Sequence, residues 1–114
     1  MRFLTQYSPD TPLSGPPSAE MQAKMGAFMK ESVEAGVLIA TGMVMSSAHN
    51  GMRMTLSKGS FAVEAGTSSQ ARQGGWAILN VDSLDHLKTV MRQFLEVAGD
   101  GEVGVLEIMQ VPLS

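Results

Sequence analysis

Nine residues in the middle of the chain, VLIATGMVM (37–45), are apolar on both alternating faces. Val37, Ile39, Met43 and Met45 share one parity, and Leu38, Ala40 and Val44 share the other. A strand of that kind is buried from two sides, either at the centre of a sheet or with a helix behind it and another subunit in front. The one helix that precedes it can cover a single face. The second face needs a partner, which is the first argument for a homodimer.

That preceding helix is written clearly. Met21, Met25, Phe28, Met29 and Val33 fall at helical spacing between Ala19 and Ala35. Ser18 is a good N-cap, Glu20 puts negative charge in the first turn, and Glu20 with Lys24 makes an i,i+4 pair on the wet side. Gly36 is placed to stop the helix. Ahead of it, RFLTQY (2–7) alternates Phe3, Thr5 and Tyr7 against Arg2, Leu4 and Gln6, a short strand with two usable faces. The prolines of SPDTPLSGPPS (8–18) mark the connection as a loop.

After residue 45 the signals shorten. SSAHNG (46–51) reads as a turn. MRMTLS (52–57) and Ser60–Glu64 flank a second turn at Lys58-Gly59, the pattern of a β-hairpin. The stretch from Phe61 to Val81 then leads through AGTSSQARQ (65–73), which has no apolar anchor, to Gly74-Gly75 and the core-strand run WAILNV (76–81). The double glycine permits either close backbone approach or positive φ.

Asp82 or Ser83 caps a second helix. Its stripe of Leu84, Leu87, Val90, Met91, Phe94 and Leu95 runs to Gly99-Asp100-Gly101. A last strand spans Glu102–Val111, and Pro112 stops it. The order is β-α-β, a β-hairpin insertion, then β-α-β. This predicts an α+β fold of the ferredoxin-like split β-α-β kind, with both helices on one face of an antiparallel sheet. The opposite face is too apolar to stay wet, so two sheets are expected to pack face to face as a dimeric α+β barrel.

Composition narrows the function. A length of 114 residues fits one domain, 1–114. With 44% apolar and 17% charged residues the chain is globular, and a net charge of −3 offers no basic face for nucleic acid. Without cysteine there is no disulfide scaffold, thiol nucleophile or cysteinyl metal site. The start MRFLTQYSPD lacks the apolar core of a signal peptide, and no run reaches membrane-span length. A soluble, cytoplasmic protein is expected. Ten methionines against four Phe, one Tyr and one Trp suggest an adaptable core, a subunit interface or a soft ligand pocket.

The chain resembles the YCII-related family, in the branch named after a DGPF tetrapeptide. The resemblance rests on the strand ending near Tyr7, GPPS (15–18), the helix closing in EAGVL (34–38), the SSAHNG turn at 46–51, GGWAILNVDS (74–83) and GEV (101–103). It covers nearly the whole chain and implies the dimeric ferredoxin-like fold already read from the pattern. The tetrapeptide itself is absent: the corresponding segment is Val63-Glu64-Ala65-Gly66-Thr67. Leu106-Glu107 stands where the family commonly has Arg-Pro. Sites that the family builds from those groups do not carry over.

The candidate chemistry is sparse. The related YCII branch is suspected of using a His and an Asp near its cleft, which makes His49 a candidate proton shuttle, though Asn50-Gly51 marks an exposed turn. Glu107 and Asn80 are polar residues inside apolar strands. Glu107 shares parity with Val103, Val105 and Met109, and either lines a cleft or reaches solvent at a sheet edge. Arg72, Trp76 and Asn80 are the candidate ligand contacts, Arg72 for an anionic group. His86 reads as a surface residue, and Arg53 with Glu64 as a cross-strand pair. No metal-ligand spacing and no phosphate-loop or dinucleotide fingerprint is present, so neither a metal nor a cofactor is expected. Three functions stay open: a homodimer binding a small organic molecule between helix, sheet and loop 64–75; a cofactor-free acid–base or lyase-type enzyme using His49 or Glu107; and a non-catalytic structural or regulatory dimer.

Overall fold

The structure is a computed structural model and describes residues 1–10, 17–44, 51–65 and 74–113. In chain order the elements are β1 (Arg2–Pro9), α1 (Ala19–Glu34), β2 (Leu38–Val44), β3 (Met52–Ser57), β4 (Ser60–Ala65), β5 (Gly74–Asn80), α2 (Leu84–Ala98) and β6 (Gly101–Ile108). Four strands form one antiparallel sheet in the order β2-β5-β1-β6, and β3 and β4 form a separate hairpin. The fold is therefore α+β, with two helices and antiparallel sheets among the described residues. With the hairpin set aside, β5 inserts between β2 and β1, the interleaving of a split β-α-β arrangement.

Local chemistry sets the boundaries. The Ser18 hydroxyl accepts from the Met21 amide at 3.2 Å, Lys24 meets Glu20 at 3.1 Å, and Gly36 leaves α1 at φ 73°, where a side chain would be strained. At α2 the cap is Ser83 and not Asp82: its hydroxyl accepts from the His86 amide at 3.1 Å. The hairpin turns through Lys58 (φ 52°) and Gly59 (φ 80°), both left-handed, as two-residue hairpin loops require.

The core is small and one-sided. Phe3, Val37, Leu79, Val81, Leu87 and Val90 are buried together, with Phe28, Leu38, Ala77 and Met91 packed against them. Both helices thus cover the face that carries Phe3, Ala77 and Leu79. Thr5 is buried on that face too, and its hydroxyl donates to the Ala77 carbonyl at 3.2 Å, so it carries no desolvation penalty. Leu87 and Val90 of α2 are buried, whereas α1 has no buried residue and lies at the margin of the core.

Three sequence expectations change here. β1 continues through Ser8 and Pro9, paired opposite Glu102 and Gly101, because a proline is tolerated at a strand end. β6 ends at Ile108, three residues before Val111. β2 is an edge strand and not a central one, and its alternation is broken: Leu38 faces Leu79 while Ala40 faces Ile78, so a bulge falls at Ile39. Leu38 therefore joins the helix-covered core, and Ala40, Gly42 and Val44 turn to the opposite face.

Candidate functional site

That opposite face of the sheet is the most distinctive surface of the molecule. Strand register places its residues in rows. Gly42, Trp76, Gln6 and Gly104 form one row across all four strands, and Ala40, Ile78, Leu4 and Leu106 form the next. Asn80, Arg2 and Ile108 close the far end, where Arg2 donates to the Gln110 side chain at 3.4 Å. The centre is apolar, and Leu106 is 66% exposed.

Two glycines shape it. A Cβ on Gly42 would come within 2.7 Å of the Trp76 indole nitrogen, so the ring lies directly over that glycine. A Cβ on Gly104 would meet nothing, and the space left above it belongs to a hollow of about 310 Å³ lined by Leu4, Gln6, Val105 and Leu106. The Gln6 amide is its polar group, offering both donor and acceptor. A wider depression of about 500 Å³ runs along α2 past Lys88, Met91, Leu95 and Asp100, but it is shallow, and its Arg92 is already held by Glu96 at 3.2 Å.

The residues singled out in the sequence do not converge. Trp76 and Asn80 share the open face, one half-buried and the other exposed at its end. Glu107 faces Phe3 in register, which puts it on the helix side, on edge strand β6, and exposed. Glu107 and Asn80 therefore belong to different faces. His49 and Arg72 lie outside the described residues, as do the turn at 46–50 and residues 66–73 of the proposed loop. His86 is engaged locally: its Nδ1 accepts from the Asp82 amide at 3.2 Å, bracing the start of α2. Arg53 and Glu64 stand directly opposite in the hairpin. Among the described residues no three His, Asp or Glu side chains group to hold a metal, and no helix is long and apolar enough to cross a membrane.

Leu4, Gln6, Gly104 and Leu106 were absent from the sequence candidates. Alternation in RFLTQY already puts Leu4 and Gln6 on one face, but only the strand order brings Gly104 beside them.

Tyr7 shows where the helix-covered face is tied down. Its hydroxyl donates toward the carbonyls that end α2, at 3.2 Å to Gly99, 3.4 Å to Asp100 and 3.5 Å to Ala98, and its ring meets Phe94 edge-on at 5.2 Å. Helix-terminal carbonyls lack partners in the helix, so this contact locks β1 to α2. Burial, with Asp10 and Asp100 adding to it, raises the hydroxyl above its ordinary 10.0. The neutral phenol is thus favoured in the fold. Its contribution is complete below pH 10.0 and is lost as pH climbs through the raised folded value. Urea midpoints should fall over that alkaline range, and Tyr7→Phe should flatten the fall; equal slopes in both proteins would remove Tyr7 as its cause.

No known family model matches the chain, and no curated protein matches it.

Proposed function

We propose that the chain is a small YCII-related protein of ferredoxin-like type. Two copies close their open sheet faces against each other as a dimeric α+β barrel and hold a small organic molecule between them. The observation that carries this reading is the apolar row Ala40, Ile78, Leu4 and Leu106, half-buried to exposed on the face that neither described helix covers.

A standard interface takes about 800 Å² from each partner. An uncovered apolar sheet of this kind favours association over exposure.

The ligand reading rests on the hollow over Gly104. A second copy laid across it would turn an open dent into an enclosed, mostly apolar chamber with the Gln6 amide as its handle and Leu4 and Leu106 as its walls. That suits a small neutral molecule with one hydrogen-bonding group. Glu107 lies on the other face, so acid–base chemistry in this chamber would not come from it. A purely structural dimer shares the interface and differs in showing no ligand effect.

Trp76 is the chain's one tryptophan and sits on the face in question. Its emission should move to shorter wavelength as protein concentration rises and the face is covered. Emission that does not change while the mass doubles would place the interface elsewhere. A panel of neutral small molecules should contain one that raises the thermal midpoint of the wild-type protein but not of Gly104→Leu, whose side chain fills the hollow. No stabilising compound for either protein would favour the structural dimer.

A further inference from the structure

The β3–β4 hairpin divides into an apolar and a largely polar face. Register pairs Met54 with Val63 and Leu56 with Phe61, and Met52 stands opposite Ala65, so one face is wholly apolar. The other carries the pairs Arg53–Glu64, Thr55–Ala62 and Ser57–Ser60. Alternation of this kind belongs to a strand pair with one side against a core. Yet among the described residues the apolar side is bare: Leu56 is 72% exposed, Phe61 65% and Met54 57%.

An isolated two-stranded hairpin is at best marginally stable in water, and it needs a third strand or a packed face to persist. Among the described residues that cover is missing. We infer that this hairpin is an intersubunit arm whose Met52, Met54, Leu56, Phe61 and Val63 face is buried by a second copy of the same chain. The inference rests on the dimer proposed above and adds to it the element that reaches across.

Position and charge select that occupant. The arm departs after Val44 and the chain returns at Gly74; these two residues face each other in the sheet, on the parity of the open face. The sheet residues that flank the arm in sequence therefore lie at the rim of the proposed interface. Six-residue strands reach about 20 Å, enough to extend past that rim onto a neighbour. A membrane surface is a poorer occupant, because an interfacial segment carries a strongly basic polar face. This hairpin has Arg53 and Lys58 against Glu64, in a chain of net charge −3. Methionine side chains suit a contact that must adapt to a partner's surface.

The absence of native cysteine allows a direct test with single thiols. Leu56→Cys places one on the apolar face and Ser57→Cys places one on the polar face, each reacted with dithiobis(nitrobenzoate) across a range of protein concentration. The arm predicts that Leu56→Cys reacts at least tenfold more slowly in the dimer than after dilution to monomer, while Ser57→Cys reacts fast throughout. A dimer in which both thiols react equally fast overturns the arm and leaves the sheet-face dimer standing. A protein that is monomeric at every concentration overturns both. If Leu56→Cys itself fails to assemble, Phe61→Glu decides: the arm requires at least tenfold weaker association with an unchanged circular dichroism spectrum, and unweakened association overturns it.

Discussion

Gly74→Ala should cost the fold about 3 kcal/mol, while Gly75→Ala beside it should be neutral or stabilising by up to about 1 kcal/mol. The two glycines are adjacent in sequence and opposite in role. A Cβ at Gly74 would collide with the Tyr7 carbonyl oxygen. That oxygen belongs to the backbone of β1, and Tyr7 is itself paired opposite Val103 in β6. Relief requires moving a strand held on both sides, which places the cost at the upper end for overpacking. At Gly75 the nearest atoms would be the Gly42 carbonyl at 3.9 Å and the Met43 sulfur at 4.0 Å, ordinary contacts. There the added methyl mainly restricts the unfolded chain. Urea midpoints measured at one fixed protein concentration check the pair. Equal losses at both positions would contradict the close approach at Gly74.

The second large effect is expected at Phe3. It is 4% exposed, at the centre of the cluster that joins β1 to β5 and α2. Phe3→Ala should cost about 3–5 kcal/mol, the usual range for an emptied aromatic site. Domains of this size commonly have only about 5–15 kcal/mol in total, so the variant should be partly unfolded near body temperature. Leu84 offers the contrast. It belongs to the same apolar stripe of α2 as Leu87, yet it is 54% exposed, and Leu84→Ala should stay within about 0.5 kcal/mol apart from its helix propensity. A small loss at Phe3 would mean that the core lies elsewhere.

These two positions show how differently the sequence reveals its parts. Phe3 was legible, because alternation with Thr5 and Tyr7 against Leu4 and Gln6 sorts the two faces of β1. The helices were legible for the same reason: Ser18, Ser83 and Gly36 mark ends, and the stripe from Leu87 to Leu95 marks the buried side. Gly74 was half legible. The double glycine announced close approach or positive φ, but choosing between them needs the neighbouring strand. The bulge at Ile39 was invisible, since an extra residue in an all-apolar run disturbs no pattern. The same run left β2 open as a central strand or as one covered by a helix and a second subunit, and the strand order makes it an edge strand.

The site was harder to read than the fold. Sequence reasoning searched for unusual polar residues, and found Glu107 and Asn80, which the register puts on opposite faces. The surface that matters in the present account is built from ordinary residues, Leu4, Gln6, Ile78 and Leu106, brought level by strand order. No local motif encodes that coincidence. The same holds for the hairpin, whose alternation showed an apolar side without showing that no described residue covers it.

Closure of the open sheet face by a second copy is tested most directly by sedimentation equilibrium on the wild-type protein and on Leu106→Glu. Leu106 is 66% exposed in the single chain, so a glutamate there should leave the protomer folded while placing a charge in the interface. Twice 12.1 kDa is expected for the wild-type protein at micromolar concentration, and the single-chain mass for Leu106→Glu with its helical signal intact. A wild-type mass of 12.1 kDa at every concentration, or a Leu106→Glu dimer as tight as the wild type, would contradict it.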